Sequence, residues 1–138
     1  MKKKFKAMVL SCIDPRFQPL VFNYLNKKKL LGKFSAFTIA GAAIGVTNKK
    51  FKKWHSTFFD NLITSIKLHK IEKLIVINHK DCGAAKISSN KKTLSNLDET
   101  IIHKTSFKKL QNIIKIKIPK LKTEFNLISL NGKIERYK

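Results

Sequence analysis

Residues 76–86, VINHKDCGAAK, form an apolar run that breaks off at a histidine, a cysteine and a glycine, and residues 9–17, VLSCIDPRF, break off similarly at a cysteine, an aspartate and an arginine. The apolar part of each stretch reads as a short buried strand, so both place their chemistry-bearing residues at a strand end. Cys12, Asp14 and Arg16 occupy alternate positions, and in an extended chain they leave the backbone on one face. Pro15 biases Asp14 away from helical dihedrals, which predicts that this extended path continues beyond the strand. His79 and Cys82 are three apart across a strand-to-turn break, and Gly83 is expected to permit the bend that returns Cys82 toward His79. Two thiols and an imidazole suit a soft divalent ion such as zinc.

Working outward, residues 5–12 read as the first strand. Phe17, Leu20, Val21, Tyr24 and Leu25 then recur at helical spacing over residues 17–28, with Pro19 in the first turn and Gly32 closing the helix. Residues 36–46, AFTIAGAAIGV, begin as a second strand and run into small residues, where Gly41 and Gly45 let backbone or ligand come close. A basic loop is expected over residues 48–53. From a cap at Ser56 to His69, the positions Phe58, Phe59, Leu62, Ile63 and Ile66 make one helical stripe. Residues 74–78, LIVIN, are apolar without alternation, as in a parallel strand covered on both faces.

A short helix over residues 83–87 and a polar loop over 88–96 follow. Asp98 and Glu99 put negative charge at the start of a helix carrying Ile102, Phe107, Leu110 and Ile114. Its tail, IKIKI up to Ile118, alternates with period two before Pro119 stops it. Residues 125–130, FNLISL, read as a strand that Asn131-Gly132 turns into a hairpin with Ile134 and Tyr137. Strands alternating with helices predict an α/β fold, a mostly parallel β-sheet flanked by helices. Cys12 and His79 then stand at carboxyl ends of strands, where open α/β sheets bind ligands. Neighbouring strands lie about 4.8 Å apart and zinc reaches its ligands over roughly 2.0–2.3 Å, so one ion can bridge two such ends.

A length of 138 residues with 43% hydrophobic predicts one domain over residues 1–138. Two cysteines do not make a disulfide framework, which points to a reducing, cytoplasmic setting. The apolar patch within MKKKFKAMVLSC is too short for an export signal, and no membrane span is expected. The formal net charge of +22 admits a nucleic-acid or anionic-lipid footprint. Its lysines scatter along the whole chain, however, without a recognised nucleic-acid motif, so compositional drift is the preferred reading and no nucleic-acid partner is expected. His55, His69 and His103 lie in or beside basic helical stretches and are expected to be solvated. Taken alone, Cys12 reads as a core thiol, His79 as a strand-end histidine, and Asp14 with Arg16 as a structural ion pair. Only their combination points to a metal.

Cys-x-Asp-x-Arg at Cys12, Asp14 and Arg16, followed by His-x-x-Cys-Gly at His79, Cys82 and Gly83, resembles in order and spacing the β-class carbonic anhydrases over about residues 5–86. The resemblance implies a β-carbonic-anhydrase-like fold in which Cys12, His79 and Cys82 ligate Zn2+. It also implies a catalytic pair, Asp14 and Arg16, and a fourth metal position taken by water or by Asp14. The implied activity is that of a lyase: reversible hydration of carbon dioxide to bicarbonate with zinc-bound hydroxide as nucleophile, in a homodimer or higher homo-oligomer. Two alternatives stay open, hydrolysis of carbon disulfide or carbonyl sulfide on the same zinc, and a non-catalytic relative that binds an acidic partner through its basic surface. Thr38-Ile39-Ala40-Gly41 stands where many members carry Arg-Asn-Ala-Gly, and Gln18 is not at a matching position for the family's bicarbonate-orienting glutamine.

Overall fold

The computed structural model describes residues 5–137. Strand β1 (Ala7–Ser11) leads through a 3-10 turn (Pro15–Phe17) into helix α1 (Gln18–Lys27) and strand β2 (Phe34–Thr38). A short helix α2 (Ala43–Thr47), a second 3-10 turn (Lys49–Phe51) and the long helix α3 (Lys52–His69) follow. Then come β3 (Lys73–His79), α4 (Gly83–Ser89), α5 (Asn96–Lys117), β4 (Lys122–Ile128) and β5 (Ile134–Tyr137). The strands form a five-stranded sheet ordered β2-β1-β3-β4-β5, parallel except for β5, which pairs antiparallel with β4. The expected α/β architecture with a mostly parallel sheet is what the chain adopts.

Side chains alternate across the pleat, so each central strand feeds two cores. Met8, Leu10, Leu74 and Val76 face a core shared with Phe58 and Leu62 of α3 and Phe107, Leu110 and Ile114 of α5. Ala7, Val9, Ile75 and Ile77 face the opposite side, where Phe17, Val21 and Leu25 cover them. Burial on both faces is why residues 74–78 lack alternation. A third cluster, at the carboxyl ends of the strands, gathers Cys12, Ile44, Phe51, Cys82, Ala84 and Ala85. No helix among the described residues is long and apolar enough to cross a membrane.

Several boundaries depart from the sequence reading, each for a local reason. The chain after Cys12 does not stay extended: Asp14 caps the 3-10 turn by accepting from the Arg16 amide, and Pro15 starts that turn. Helix α1 ends at Lys27, with Lys29 taking a left-handed φ of 59°, so Gly32 lies in the turn before β2 and does not close the helix. Residues 48–53 are no open loop, because Asn48 caps a 3-10 turn that runs straight into α3; that helix begins at Lys52 and Ser56 lies within it. Helix α5 starts behind a Ser95 cap and holds its conformation through Lys117 despite the period-two pattern of its tail. The strand read at residues 125–130 sits three residues earlier at its start, as β4, and Ser129 already belongs to the turn into β5.

Candidate metal centre

Cys12 directly follows β1 and His79 ends β3, and these two strands are neighbours, so the sheet itself brings the thiol and the imidazole together. Asp81, with φ of 58°, supplies the reversal that carries Cys82 back over the strand ends. Gly83 is not the hinge: it opens α4, and an added Cβ there would meet nothing within 4 Å. The ligating atoms of Cys12, His79 and Cys82 all lie within 4.8 Å of one another, and all three residues are buried. His79 Nδ1–H donates to the Lys80 carbonyl at 2.7 Å, so Nε2 is the ring nitrogen that faces the sulfurs and can ligate when deprotonated. Among the described residues that Nε2 is buried and has no hydrogen-bond partner. The Phe17 ring, stacked on the imidazole at 4.0 Å, holds its orientation.

The sulfurs carry opposite tendencies. The Cys82 thiol beside it, opposed by burial and assisted by His79 and the Gly41 and Asp14 amides, brings the Cys12 pKa well below the usual thiol range. Cys82 is pushed upward by Cys12 and by burial. Burial alone would lower His79, but the facing Cys12 sulfur outweighs it and raises the pKa. Two adjacent buried thiolates repel unless a cation lies between them. Two sulfurs and an orphaned imidazole nitrogen around one point fit a zinc ion with three protein ligands and one open position.

Gly41 makes the closest backbone approach: with φ of 79° it aims its amide at Cys12 Sγ, 3.2 Å away. A Cβ at Gly41 would come within 2.6 Å of Ala84 Cβ, and one at Gly45 within 2.1 Å of the Ala40 carbonyl oxygen, so both positions need glycine.

Arg16 clasps Asp14, donating to it from its amide at 2.9 Å, from Nε at 3.2 Å and from a terminal nitrogen at 2.8 Å. Its other arm reaches the Asp81 carboxylate at 2.9 Å, tying the first motif to the turn that carries Cys82. These hydrogen bonds, led by the Arg16 side chain, hold the Asp14 pKa near 2, so the group is an anion at any working pH. One Asp14 oxygen stands 3.8 Å from His79 Nε2. A cleft of about 530 Å³ opens onto Cys12, Asp14 and Arg16, and its walls are mostly apolar: Ile13, Ala40, Phe51, Trp54, Ala84 and Ile87.

The structure thus brings together all five residues singled out from the sequence, Cys12, Asp14, Arg16, His79 and Cys82. Other polar residues are engaged elsewhere or, like Gln18, touch the cluster only through its backbone. Gln18 donates to the Cys12 carbonyl, His55 bonds the Asn48 carbonyl, and His69 packs edge-on to Phe5. His103 overturns the expectation of a solvated side chain: it is fully buried between Asn78 and Glu99. Asp81, Trp54, Glu99 and Asn78 were missed. Glu99 and His103 at i, i+4, together with a lone asparagine inside an apolar strand, were the available signal.

Over residues 1–128 the chain matches the family described as "Putative carbonic anhydrase". It is 31% identical over 131 residues to an uncharacterized protein of Rickettsia bellii, covering 94% of this chain and 80% of that one. An uncharacterized protein of Rickettsia conorii is 29% identical, over 94% of this chain and 70% of its own length. Among solved structures, a β-carbonic anhydrase of the fungal pathogen Aspergillus fumigatus superposes with a TM-score of 0.64 at 9% identity, over 99% of this chain and 76% of that one. One of two tetrameric β-carbonic anhydrases from Sordaria macrospora gives 0.59 at 10% identity, over 97% and 81%. At such identities the likeness is one of fold.

Proposed function

The chain belongs to the "Putative carbonic anhydrase" family, and from that membership we propose that it catalyses the reversible hydration of carbon dioxide to bicarbonate, with zinc held by Cys12, His79 and Cys82. The observation that carries this reading is the buried, partnerless Nε2 of His79 beside two sulfurs within 4.8 Å. A zinc ion with an open position lowers the pKa of bound water and so supplies a nucleophile near neutral pH. Cys12 and Cys82 bring two negative charges to the site, which weakens that acidification relative to three neutral imidazoles, so turnover rises on the alkaline side of neutrality.

The rest of the work falls to the chain's own side chains. Asp14, ionised and held rigid by Arg16, offers an acceptor next to the metal ligands and orients the attacking water. Arg16 donates to both Asp14 oxygens and to the Asp81 carboxylate, and this would hold Asp14 back from a metal bound by Cys12, His79 and Cys82. The apolar walls around Phe51, Trp54 and Ile87 suit a small, uncharged substrate with little affinity for water. The same lining favours a second reading, hydrolysis of carbon disulfide or carbonyl sulfide. The working form is a homo-oligomer, a reading supported by the exposed apolar rim of Ile13 and Ile87 beside the cleft and by the tetrameric Sordaria relatives.

The deciding experiment combines metal analysis with stopped-flow hydration of carbon dioxide on the zinc-loaded protein, with carbonyl sulfide offered in parallel. One zinc per chain and hydration that depends on Asp14 support the proposal. Turnover of the sulfur compound alone selects the second reading, and no turnover of either leaves a metal-binding relative without this chemistry.

A further inference from the structure

Behind the turn that carries Cys82 lies a run of buried polar groups for which the proposed reaction has no use. Asn78 stands one residue before His79, while Glu99 and His103 lie on the first turns of α5; Asn78 and His103 are at most 1% exposed. Glu99 accepts three hydrogen bonds, from the Asp81 amide at 3.1 Å, the Cys82 amide at 3.0 Å and the His103 ring at 3.2 Å. A carboxylate donates nothing, so His103 Nε2 carries the proton and its Nδ1 is an acceptor. Asn78 Nδ2 donates to that Nδ1 at 2.9 Å, and this orients the amide so that Asn78 Oδ1 accepts from the Ala43 amide at 3.0 Å. Burial, opposed by Glu99, lowers the His103 pKa, which favours this pattern.

Each end of the run bears on a sulfur of the candidate metal centre. At one end the anchored amide is that of Cys82 itself. At the other, Ala43 follows Gly41, whose amide donates to Cys12 Sγ. Between them Ala42, fully buried, holds φ of 49° and ψ of −111°, a conformation that a residue with a Cβ keeps only where its surroundings impose it. The bond from Asn78 to Ala43 is one such constraint.

We propose that Glu99, His103 and Asn78 act as positioning residues, one directional hydrogen-bonded chain that fixes the backbone of Cys82 and the 41–43 loop at Cys12 and so sets the spacing of the two sulfurs. This rests on reading Cys12, His79 and Cys82 as metal ligands. Replacing a group of this kind behind a ligand costs roughly 10- to 100-fold in metal affinity.

Cobalt(II) serves as the optical probe. The wild-type chain is expected to bind one cobalt per chain with thiolate charge-transfer bands, and competition with a chelator gives the affinity. Glu99→Gln is nearly isosteric but turns an amide donor toward one of three donors. It is expected to retain its circular dichroism, bind cobalt about 10- to 100-fold more weakly and show shifted ligand-field bands. Val21→Ala, a cavity in the core beside α1, lowers stability and leaves affinity and spectrum unchanged. Should Glu99→Gln fail to fold, 15N NMR of the wild-type protein decides: the His103 proton sits on Nε2, with and without metal. A wild-type chain that takes up no cobalt removes the metal-centre reading and this inference with it. Cobalt binding by wild type with unaltered affinity and spectrum in Glu99→Gln, or a His103 proton on Nδ1, overturns the positioning chain alone.

Discussion

Glu124, in the middle of β4, and the Cys12–His79–Cys82 cluster, at the carboxyl ends of β1 and β3, both place ionisable groups inside the protein, but their surroundings differ in kind. Around Glu124 the chain supplies every counter-charge itself: Lys73 at 2.8 Å, Arg136 at 3.1 Å and Lys28 at 3.7 Å, with the Tyr24 hydroxyl at 2.7 Å and Asn126 at 3.0 Å. Burial would raise the Glu124 pKa, yet Lys73, Asn126 and Tyr24 outweigh it and bring it to about 2. Around the two sulfurs the compensation is slighter: the Gly41 amide donates to Cys12 Sγ at 3.2 Å, no Lys or Arg of the described residues forms an ion pair there, and Arg16 is engaged by Asp14 and Asp81. A buried charge that is matched from within is scaffold. Metal-binding donors packed together, with no cation of the described residues set between them, are the arrangement that an ion from outside would complete.

The contrast can be broken most severely by Cys82→Ala, which is expected to abolish stoichiometric zinc and with it measurable hydration, while Glu124→Gln leaves zinc at one per chain in the same metal analysis. Asp14→Ala comes next. Stopped-flow assays are expected to show a loss of about 100-fold or more in hydration rate with zinc retained, because an acceptor and not a ligand is removed.

Glu124→Gln sharpens the other side. Chemical denaturation near neutral pH is expected to register a loss of about 2 kcal/mol, since the charged hydrogen bonds to the carboxylate go while the partly exposed cations turn to water. The sign of its pH dependence follows from a pKa depressed from the ordinary 4.5 to about 2. The stabilisation is complete above about pH 4.5 and disappears as the pH falls toward 2, worth roughly 3 kcal/mol in all. Wild-type stability therefore falls through that acid window, and the Glu124→Gln profile is flatter there. Tyr24→Phe removes one hydrogen bond from the same carboxylate and is expected to cost about 1 kcal/mol in the same titration, with hydration unchanged.

The fold and the convergence of Cys12, Asp14, Arg16, His79 and Cys82 in space were legible because each rests on a local signal. Residues 74–78 advertise a doubly covered strand by their unbroken apolar run, and strand ends in a parallel sheet converge whatever the intervening loops do. The alternation of Cys12, Asp14 and Arg16 was read as an extended tail because pattern alone cannot show that Asp14 would cap a turn with its own carboxylate. The apolar positions of α5 alone do not reveal that His103 is buried, because its buried stripe continues in polar residues. Stepping back from Leu110 by four, three and four residues gives Ser106, His103 and Glu99, the polar continuation of that stripe, all buried. Trp54 and Asp81 reach the site through the path of α3 and the left-handed turn at Asp81, which depend on tertiary packing and leave no periodic trace.

The most direct test of the account is zinc-edge X-ray absorption on the purified, zinc-loaded protein. The account predicts two sulfur ligands at about 2.3 Å and at least one imidazole nitrogen near 2.0–2.1 Å, with both sulfur contributions lost in Cys12→Ala, Cys82→Ala protein. A coordination shell of oxygen and nitrogen alone, or zinc far below one per chain, would contradict it.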